Sequence, residues 1–140
     1  MDKTIIAHSA AEMEEIGIEL ADTLTDGMIV SLLGPLGAGK TTLVKGIAKG
    51  LLITDVVISP SYLLARDYQG RLSLHHLDAY RIDSMDEFIA VGLDELLPPA
   101  LGVSVVEWAD RVEGLIEISD TLVRIEPLAD SDRRVRISTG

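Results

Sequence analysis

Residues 34–41 read GPLGAGKT and match the pattern G-x-x-x-x-G-K-T, which is typical of loops that bind nucleotide phosphates. The glycines allow successive backbone N–H groups to face inward around a phosphate chain, which bulkier side chains would block. Lys40 is expected to reach the outer phosphates, and the hydroxyl of Thr41 to bind Mg²⁺. The helix that follows should point its positive N-terminal end at the same anion. The pattern therefore predicts a nucleotide site that includes Gly34, Gly37, Ala38, Gly39, Lys40 and Thr41.

A catalytic site of this kind also needs a carboxylate at the end of a neighbouring strand, where it holds the metal shell and orients water. Two acids fit this requirement. Glu107 follows the apolar run Val103 to Val106, and Asp78 ends the amphipathic run of residues 72–78. Ligands of open α/β sheets gather beyond the carboxyl ends of the strands. We expect both acids to belong to the network that binds the metal or orients water, and which of them contacts the metal directly stays open.

Three other side chains near these acids have less specific interpretations. His75 and His76 are adjacent on one expected strand, so they point to opposite faces and cannot form a metal site together. Each is interpreted as a packed or surface imidazole. Trp108 directly follows Glu107, and it either belongs to the core or lines the site.

The segment Ser59-Pro60-Ser61 lies where nucleotide-hydrolysing proteins place a loop that senses the outer phosphate. Ser61 would offer its hydroxyl there, with an ordinary turn as the alternative. Near the end of the chain, Arg133, Arg134 and Arg136 form the main arginine cluster. Such charge is typical of an edge strand that avoids pairing with other chains.

Composition restricts the function further. The chain has 140 residues, no Cys, and 12 Lys and Arg against 23 Asp and Glu, for a formal charge of −11. This length predicts a single domain over residues 1–140. The lack of Cys excludes disulfides and Cys-ligated metals. A net negative field repels nucleic acids and anionic lipids, so any role on RNA should depend on a partner protein. The chain shows no membrane-spanning run and no apolar leader, and we expect a cytoplasmic protein without membrane contact.

The elements that must position these residues alternate between strand and helix. Capping boxes at Ser9-x-x-Glu12 and Ser84-x-x-Glu87 each predict the start of a helix, the second running towards Leu97. Another helix should follow Thr41. This order predicts an α/β fold, a P-loop NTPase-like three-layer domain with a mixed, partly parallel central sheet. Strands are expected at 4–7, 28–33, 103–106, in a hairpin of 62–68 and 71–77 around Gln69-Gly70, and in an antiparallel pair of 121–125 and 134–138.

The nucleotide is expected to be ATP or ADP, because the chain lacks the N/T-K-x-D string of guanine-selective proteins. Two alternatives to an ATPase remain open at this point. One is a docking module whose shape depends on the bound nucleotide, with no essential hydrolysis. The other is a small-molecule P-loop kinase.

Three strings, GPLGAGKTTL, SPSYLLARDYQGRLSLHHLDAYRID and VVEWADR, resemble in their order those of the bacterial TsaE (YjeE) family. This family is the small ATPase of tRNA threonylcarbamoyladenosine (t6A) biosynthesis, and the resemblance covers about residues 4–138. It implies a magnesium-dependent ATP hydrolase with low intrinsic turnover. It also implies that the chain binds and resets the TsaB–TsaD pair and reaches tRNA only indirectly, through that complex.

The resemblance also implies roles for individual residues. Thr42 would join the loop on the phosphates, Ser61 would belong to the sensing loop, and Trp108 would lie beside the site. Ser9 at the start of the first helix, and Arg133 or Arg134, would lie against the nucleotide. Ser61 stands where the family more often has Thr, and Ala109 stands where it often has Pro. The catalytic and metal-binding residues implied are Lys40, Asp78 and Glu107 for catalysis, and Thr41, Glu107 and Asp78 for the metal.

Overall fold

The computed structural model describes residues 2–35, 37–60 and 64–139, and within these ranges the strands form one seven-stranded sheet. The sheet order is β1-β7-β6-β2-β5-β4-β3. The four central strands β6, β2, β5 and β4 are parallel, and the outer strands pair antiparallel. The strands are β1 (Asp2–Ala7), β2 (Ile29–Leu33), β3 (Ala65–Tyr68), β4 (Leu74–Asp78), β5 (Val103–Glu107), β6 (Thr121–Pro127) and β7 (Arg133–Thr139).

Helical elements cover both faces of the sheet. The α-helices are α1 (Ala10–Ala21), α2 (Lys40–Gly50) and α3 (Met85–Ala90), and short 3₁₀ helices span Leu93–Leu96, Ala109–Arg111 and Ile116–Ile118. Side chains alternate along a strand, and β2 accordingly divides its residues between two apolar clusters. Val30 and Leu32 pack with α1 and α2, and Ile29 and Leu33 pack with α3 and the 3₁₀ segments. The predicted α/β class with a mixed, partly parallel sheet is confirmed.

The helices α1 and α2 pack so closely that glycine is required where they cross. A Cβ atom on Gly46 would lie 2.1 Å from the backbone oxygen of Glu14, and one on Gly17 would lie 2.4 Å from that of Leu43. Such distances are impossible without a shift of backbone. The crossing therefore fixes α2, whose first turn carries Lys40 and Thr41, against α1.

The arginine-rich strand β7 is not an edge strand, so that prediction is wrong. It lies between β6 and β1, with Asp2 opposite Ser138 and Ala7 opposite Arg133. Arg134 and Arg136 instead form exposed ion pairs with Glu126 on β6. The pairing joins the two ends of the chain, and local sequence patterns do not reveal contacts over such a separation.

Two element boundaries also differ from the sequence prediction. Helix α3 begins after Ser84 as expected, but the serine side chain makes no capping hydrogen bond and the helix ends at Ala90. Gly92 then adopts a left-handed conformation (φ 81°), and a 3₁₀ turn replaces the helix predicted to reach Leu97. Strands β3 and β4 do pair as a hairpin, but residues 69–73 connect them instead of a two-residue turn.

Candidate nucleotide site

The glycine-rich loop connects buried β2 to α2, as the sequence predicts. Gly37 (φ 76°) and Gly39 (φ 105°) both adopt backbone conformations that L side chains rarely take. Gly39 is also the N-cap of α2 and has no side chain to accept from the first helical N–H groups. Those donors, together with the positive end of the helix, are therefore available to a bound anion.

A cavity of about 500 Å³ opens beside this loop. The parallel register of β4 and β5 places Asp78 opposite Glu107 at the carboxyl ends of the strands, next to the loop that follows β2. The cavity therefore brings together most of the predicted site. Its lining residues are Gly37, Ala38, Gly39, Lys40, Thr41, Thr42, Ser59, Asp78, Tyr80, Arg81, Glu107 and Trp108.

The ammonium group of Lys40 is buried within the curve of the loop. Its Nζ donates to the backbone oxygens of Gly34 and Pro35 at 2.5 and 2.9 Å, and it lies 4.2 Å from the centre of the Trp108 ring. Burial lowers the pKa of Lys40, and the negative charges of Glu107 and Asp78 act in the opposite direction. Trp108 is thus part of the site, since its ring lies over the cation.

Oxygen atoms suited to magnesium meet on the cavity wall. The hydroxyl of Thr41 lies 3.4 Å from Oε2 of Glu107, and Asp78 accepts a hydrogen bond from the backbone N–H of Tyr80 at 2.8 Å. A hydroxyl and carboxylates are hard oxygen ligands of the kind that Mg²⁺ prefers. The described residues contain no cluster of three or more His, Cys, Asp or Glu side chains that could hold a metal. Mg²⁺ usually takes its other ligands from substrate phosphates and water, so this donor set fits it.

Sequence reasoning missed the connection between His76 and Glu107. His76 is buried as a packed imidazole, in agreement with its interpretation, but its Nε2 lies 2.6 Å from Oε2 of Glu107. The available signal was strand alternation, because His76 and Asp78 are two residues apart on β4 and share a face. Tyr80 and Arg81 also line the cavity without having been predicted.

A second cavity of about 220 Å³ shares Gly37, Ala38, Gly39 and Thr42 with the first. Ser9, whose hydroxyl accepts from the N–H of Glu12 at the start of α1, lines it, as does Arg133. Nη2 of Arg133 donates to the backbone oxygen of Gly37 at 3.3 Å. Since Arg134 pairs with Glu126, Arg133 is the arginine of the pair that reaches the loop. The predicted sensing residue Ser61 lies outside the described residues.

Comparison with known proteins identifies the family. A family model described as "Threonylcarbamoyl adenosine biosynthesis protein TsaE" matches residues 7–135. The chain belongs to the TsaE family. The family is involved in the biosynthesis of t6A in tRNA, and the resemblance stated from the sequence motifs is thereby confirmed.

Individual TsaE relatives are similar in sequence to this chain over most of its length. The protein named TsaE of Treponema pallidum is 35% identical over 133 residues, which cover 95% of this chain and 98% of that protein. The TsaE of a Nostoc species is 40% identical over 119 residues, which cover 80% of this chain and 70% of that protein. The crystal structure of Bacillus subtilis YdiB matches with a TM-score of 0.81 and 30% identity, covering 100% of this chain and 87% of that one. Within the described ranges, no helix is both long and apolar enough to cross a membrane.

Proposed function

We propose that this TsaE-family chain is a magnesium-dependent ATPase that binds the TsaB–TsaD pair and resets it between rounds of t6A formation. One observation carries the ATPase part of this proposal. Lys40 and Thr41 at the start of α2, Asp78 at the end of β4 and Glu107 at the end of β5 line a single cavity. That combination of phosphate-binding backbone, cation, hydroxyl and two carboxylates is what ATP hydrolysis requires.

Each group has a distinct task in this scheme. The N–H groups of the loop and the ammonium of Lys40 bind the phosphate chain and stabilise the negative charge that grows on it. Thr41 and Glu107 would hold Mg²⁺, which when bound neutralises phosphate charge. Asp78 orients the attacking water and accepts its proton. The water oxygen bonds to the terminal phosphorus as the bond to the bridging oxygen breaks, which yields ADP and inorganic phosphate.

The partner assignment is supported by family membership and by charge. A net charge of −11 opposes direct binding to the tRNA backbone. An acidic member of a t6A family therefore acts on tRNA through other proteins, and the TsaB–TsaD pair is the partner that the family resemblance implies. Hydrolysis in this chain would then change how that pair is bound.

Phosphate release, measured with the chain alone and with TsaB–TsaD added, tests this function. The proposal predicts slow release of inorganic phosphate that depends on Mg²⁺ and changes when the partners bind. Phosphate that appears on a small-molecule acceptor instead of in water would establish a kinase. If a non-hydrolysable ATP analogue supports repeated rounds of t6A formation, the chain is a docking module and its hydrolysis is incidental.

A further inference from the structure

His76 is a buried polar group that the proposed chemistry does not use directly. Its side chain is 0% exposed and does not line the cavity, so it cannot contact a bound nucleotide. Its Nε2 nevertheless lies 2.6 Å from Oε2 of Glu107, a carboxylate that is itself almost completely buried. This same oxygen lies 3.4 Å from the hydroxyl of Thr41. His76 therefore contacts the site through Oε2 of Glu107 without lining the cavity itself.

The surroundings of the imidazole indicate which nitrogen carries a proton. An ionised carboxylate only accepts hydrogen bonds, so the short contact to Glu107 needs a proton on Nε2. Among the described residues, Nδ1 has no hydrogen-bond partner. A buried N–H group without an acceptor costs free energy, because it has lost its hydrogen bonds to water. This cost disfavours the tautomer in which only Nδ1 carries a proton. Both observations favour a donor at Nε2.

We infer that His76 is a positioning residue for Glu107: its Nε2–H group holds the carboxylate in the orientation in which Glu107 and Thr41 bind the magnesium of MgATP. Without this donor, Oε2 of Glu107 would lose its short hydrogen bond to His76, and the carboxylate could rotate. Groups that orient metal-binding side chains typically change metal affinity or activity by roughly 10- to 100-fold when they are removed. The inference rests on the proposed function and names a residue outside the nucleotide cavity.

Two substitutions at position 76 distinguish a role of the side chain in hydrogen bonding from a role in packing alone. H76Q keeps an N–H donor near the place of Nε2, and H76L fills the buried site without any donor. The neighbouring His75 provides the matched controls H75Q and H75L. His75 faces the other side of the sheet, where its ring nitrogens contact Asp67 and the backbone oxygen of Leu101.

The first readout is the dependence on Mg²⁺. We expect H76L to bind ATP without metal as the wild type does, because the phosphate loop is untouched. It should need roughly 10- to 100-fold more Mg²⁺ for half-maximal binding of MgATP in calorimetry and for half-maximal hydrolysis. H76Q should recover most of this loss, and the His75 variants should match the wild type. The thermal unfolding midpoint of each nucleotide-free variant identifies any protein that fails to fold.

The second readout does not need hydrolysis at all. In ¹⁵N-labelled, nucleotide-free protein, NMR of the imidazole nitrogens, assigned by the signals that H76Q removes, should show a proton on Nε2 of His76. A proton on Nδ1 alone would overturn the inference. So would a folded H76L with wild-type Mg²⁺ dependence, or equal losses in H76L and H76Q. If the wild type binds no ATP, the proposed function fails, and the NMR result still decides the proton position at His76.

Discussion

At the scale of single residues, Lys40 is the group on which the proposed phosphate binding depends most. Its ammonium already lies inside the loop, held by the backbone oxygens of Gly34 and Pro35 and by the face of Trp108. A bound phosphate would replace these neutral partners with charged oxygens, and hydrogen bonds between charged groups are about twice as strong. The loop thus holds a partly desolvated cation next to the place that an anion would take.

The environment of Lys40 predicts a pH dependence of nucleotide affinity. Burial lowers the pKa of this lysine below its ordinary value of 10.5, and only the protonated form attracts phosphate. Affinity for ADP should therefore be level near neutral pH and fall as pH rises through the lowered pKa, before ordinary lysines lose their protons. Calorimetry at increasing pH measures this. Constant affinity up to pH 10.5 would contradict the assignment of Lys40.

The two acids should affect hydrolysis more than binding. We expect E107A and D78A to retain much of the wild-type affinity for ATP, because the loop and Lys40 remain. Hydrolysis should fall by about 100-fold or more, the usual contribution of a positioned catalytic group. The measurement is phosphate release at saturating ATP and Mg²⁺, and E113A, which alters an exposed acid after β5, is the control. Unchanged turnover in either variant would remove that acid from the mechanism.

Residues in a strong local pattern could be predicted from the sequence, and those joined by tertiary contacts could not. The positions of Lys40 and Thr41 at the cavity follow from the glycine pattern, and those of Glu107 and Asp78 follow from their places at the ends of an apolar and an amphipathic strand. The contact of His76 with Glu107 depends on the parallel register of β4 and β5, 31 residues apart in the chain. A single sequence contains no sign of that register.

At the scale of elements, the crossing of α1 and α2 fixes against α1 the helix whose first turn carries Lys40 and Thr41. Gly46 on α2 lies against the backbone of Glu14, and Gly17 on α1 lies against that of Leu43. Glycine in the middle of a helix lowers helix propensity by about 1 kcal/mol relative to Ala. Both glycines therefore have a packing role that outweighs this cost.

The variant G46A should lower the free energy of unfolding although alanine is the better helix former. A Cβ atom would meet the oxygen of Glu14 at 2.1 Å, so α1 and α2 must move apart. We expect a loss of about 1–3 kcal/mol, the usual effect of overpacking. Urea denaturation measures it, and K45A, at an exposed position of the same helix, is the control. Unfolding of G46A at or above the wild-type urea concentration would show that the helices are not in close contact.

The sequence predicted these two helices but not their crossing, because hydrophobic periodicity reports a buried face and not its partner. The same limit explains the error at β7. Its arginines were consistent with an edge strand, but pairing with β1 places β7 inside the sheet. Helix α3 was predicted too long because the capping signal at Ser84 marks a beginning, and the left-handed Gly92 prevents continuation to Leu97.

For the molecule as a whole, net charge argues against direct contact with the tRNA in whose t6A biosynthesis the family is involved. A formal charge of −11 gives a field that opposes a polyanion, and proteins that bind nucleic acids alone usually have the opposite sign. The proposed arrangement, in which TsaB–TsaD contacts the tRNA and this chain contacts TsaB–TsaD, removes the conflict.

The chain alone should therefore show no binding of tRNA, and no binding should appear when the salt concentration is lowered. For a basic protein, affinity rises steeply as salt falls, because binding releases counterions. Fluorescence anisotropy of labelled tRNA, titrated with the chain at two salt concentrations, is the measurement. The same titration with TsaB–TsaD present is the positive control. Binding by the chain alone that strengthens at low salt would contradict the indirect role.

Binding of the phosphates of ATP or ADP by the loop of residues 34–42 can be measured directly by titration calorimetry. With Mg²⁺ present, the wild type and K45A should release heat with one nucleotide bound per chain. K40A, which loses a charged hydrogen bond of about 2–3 kcal/mol, should bind roughly 30- to 150-fold more weakly. No heat from the wild type with either nucleotide, or equal affinities for K40A and K45A, would contradict the account.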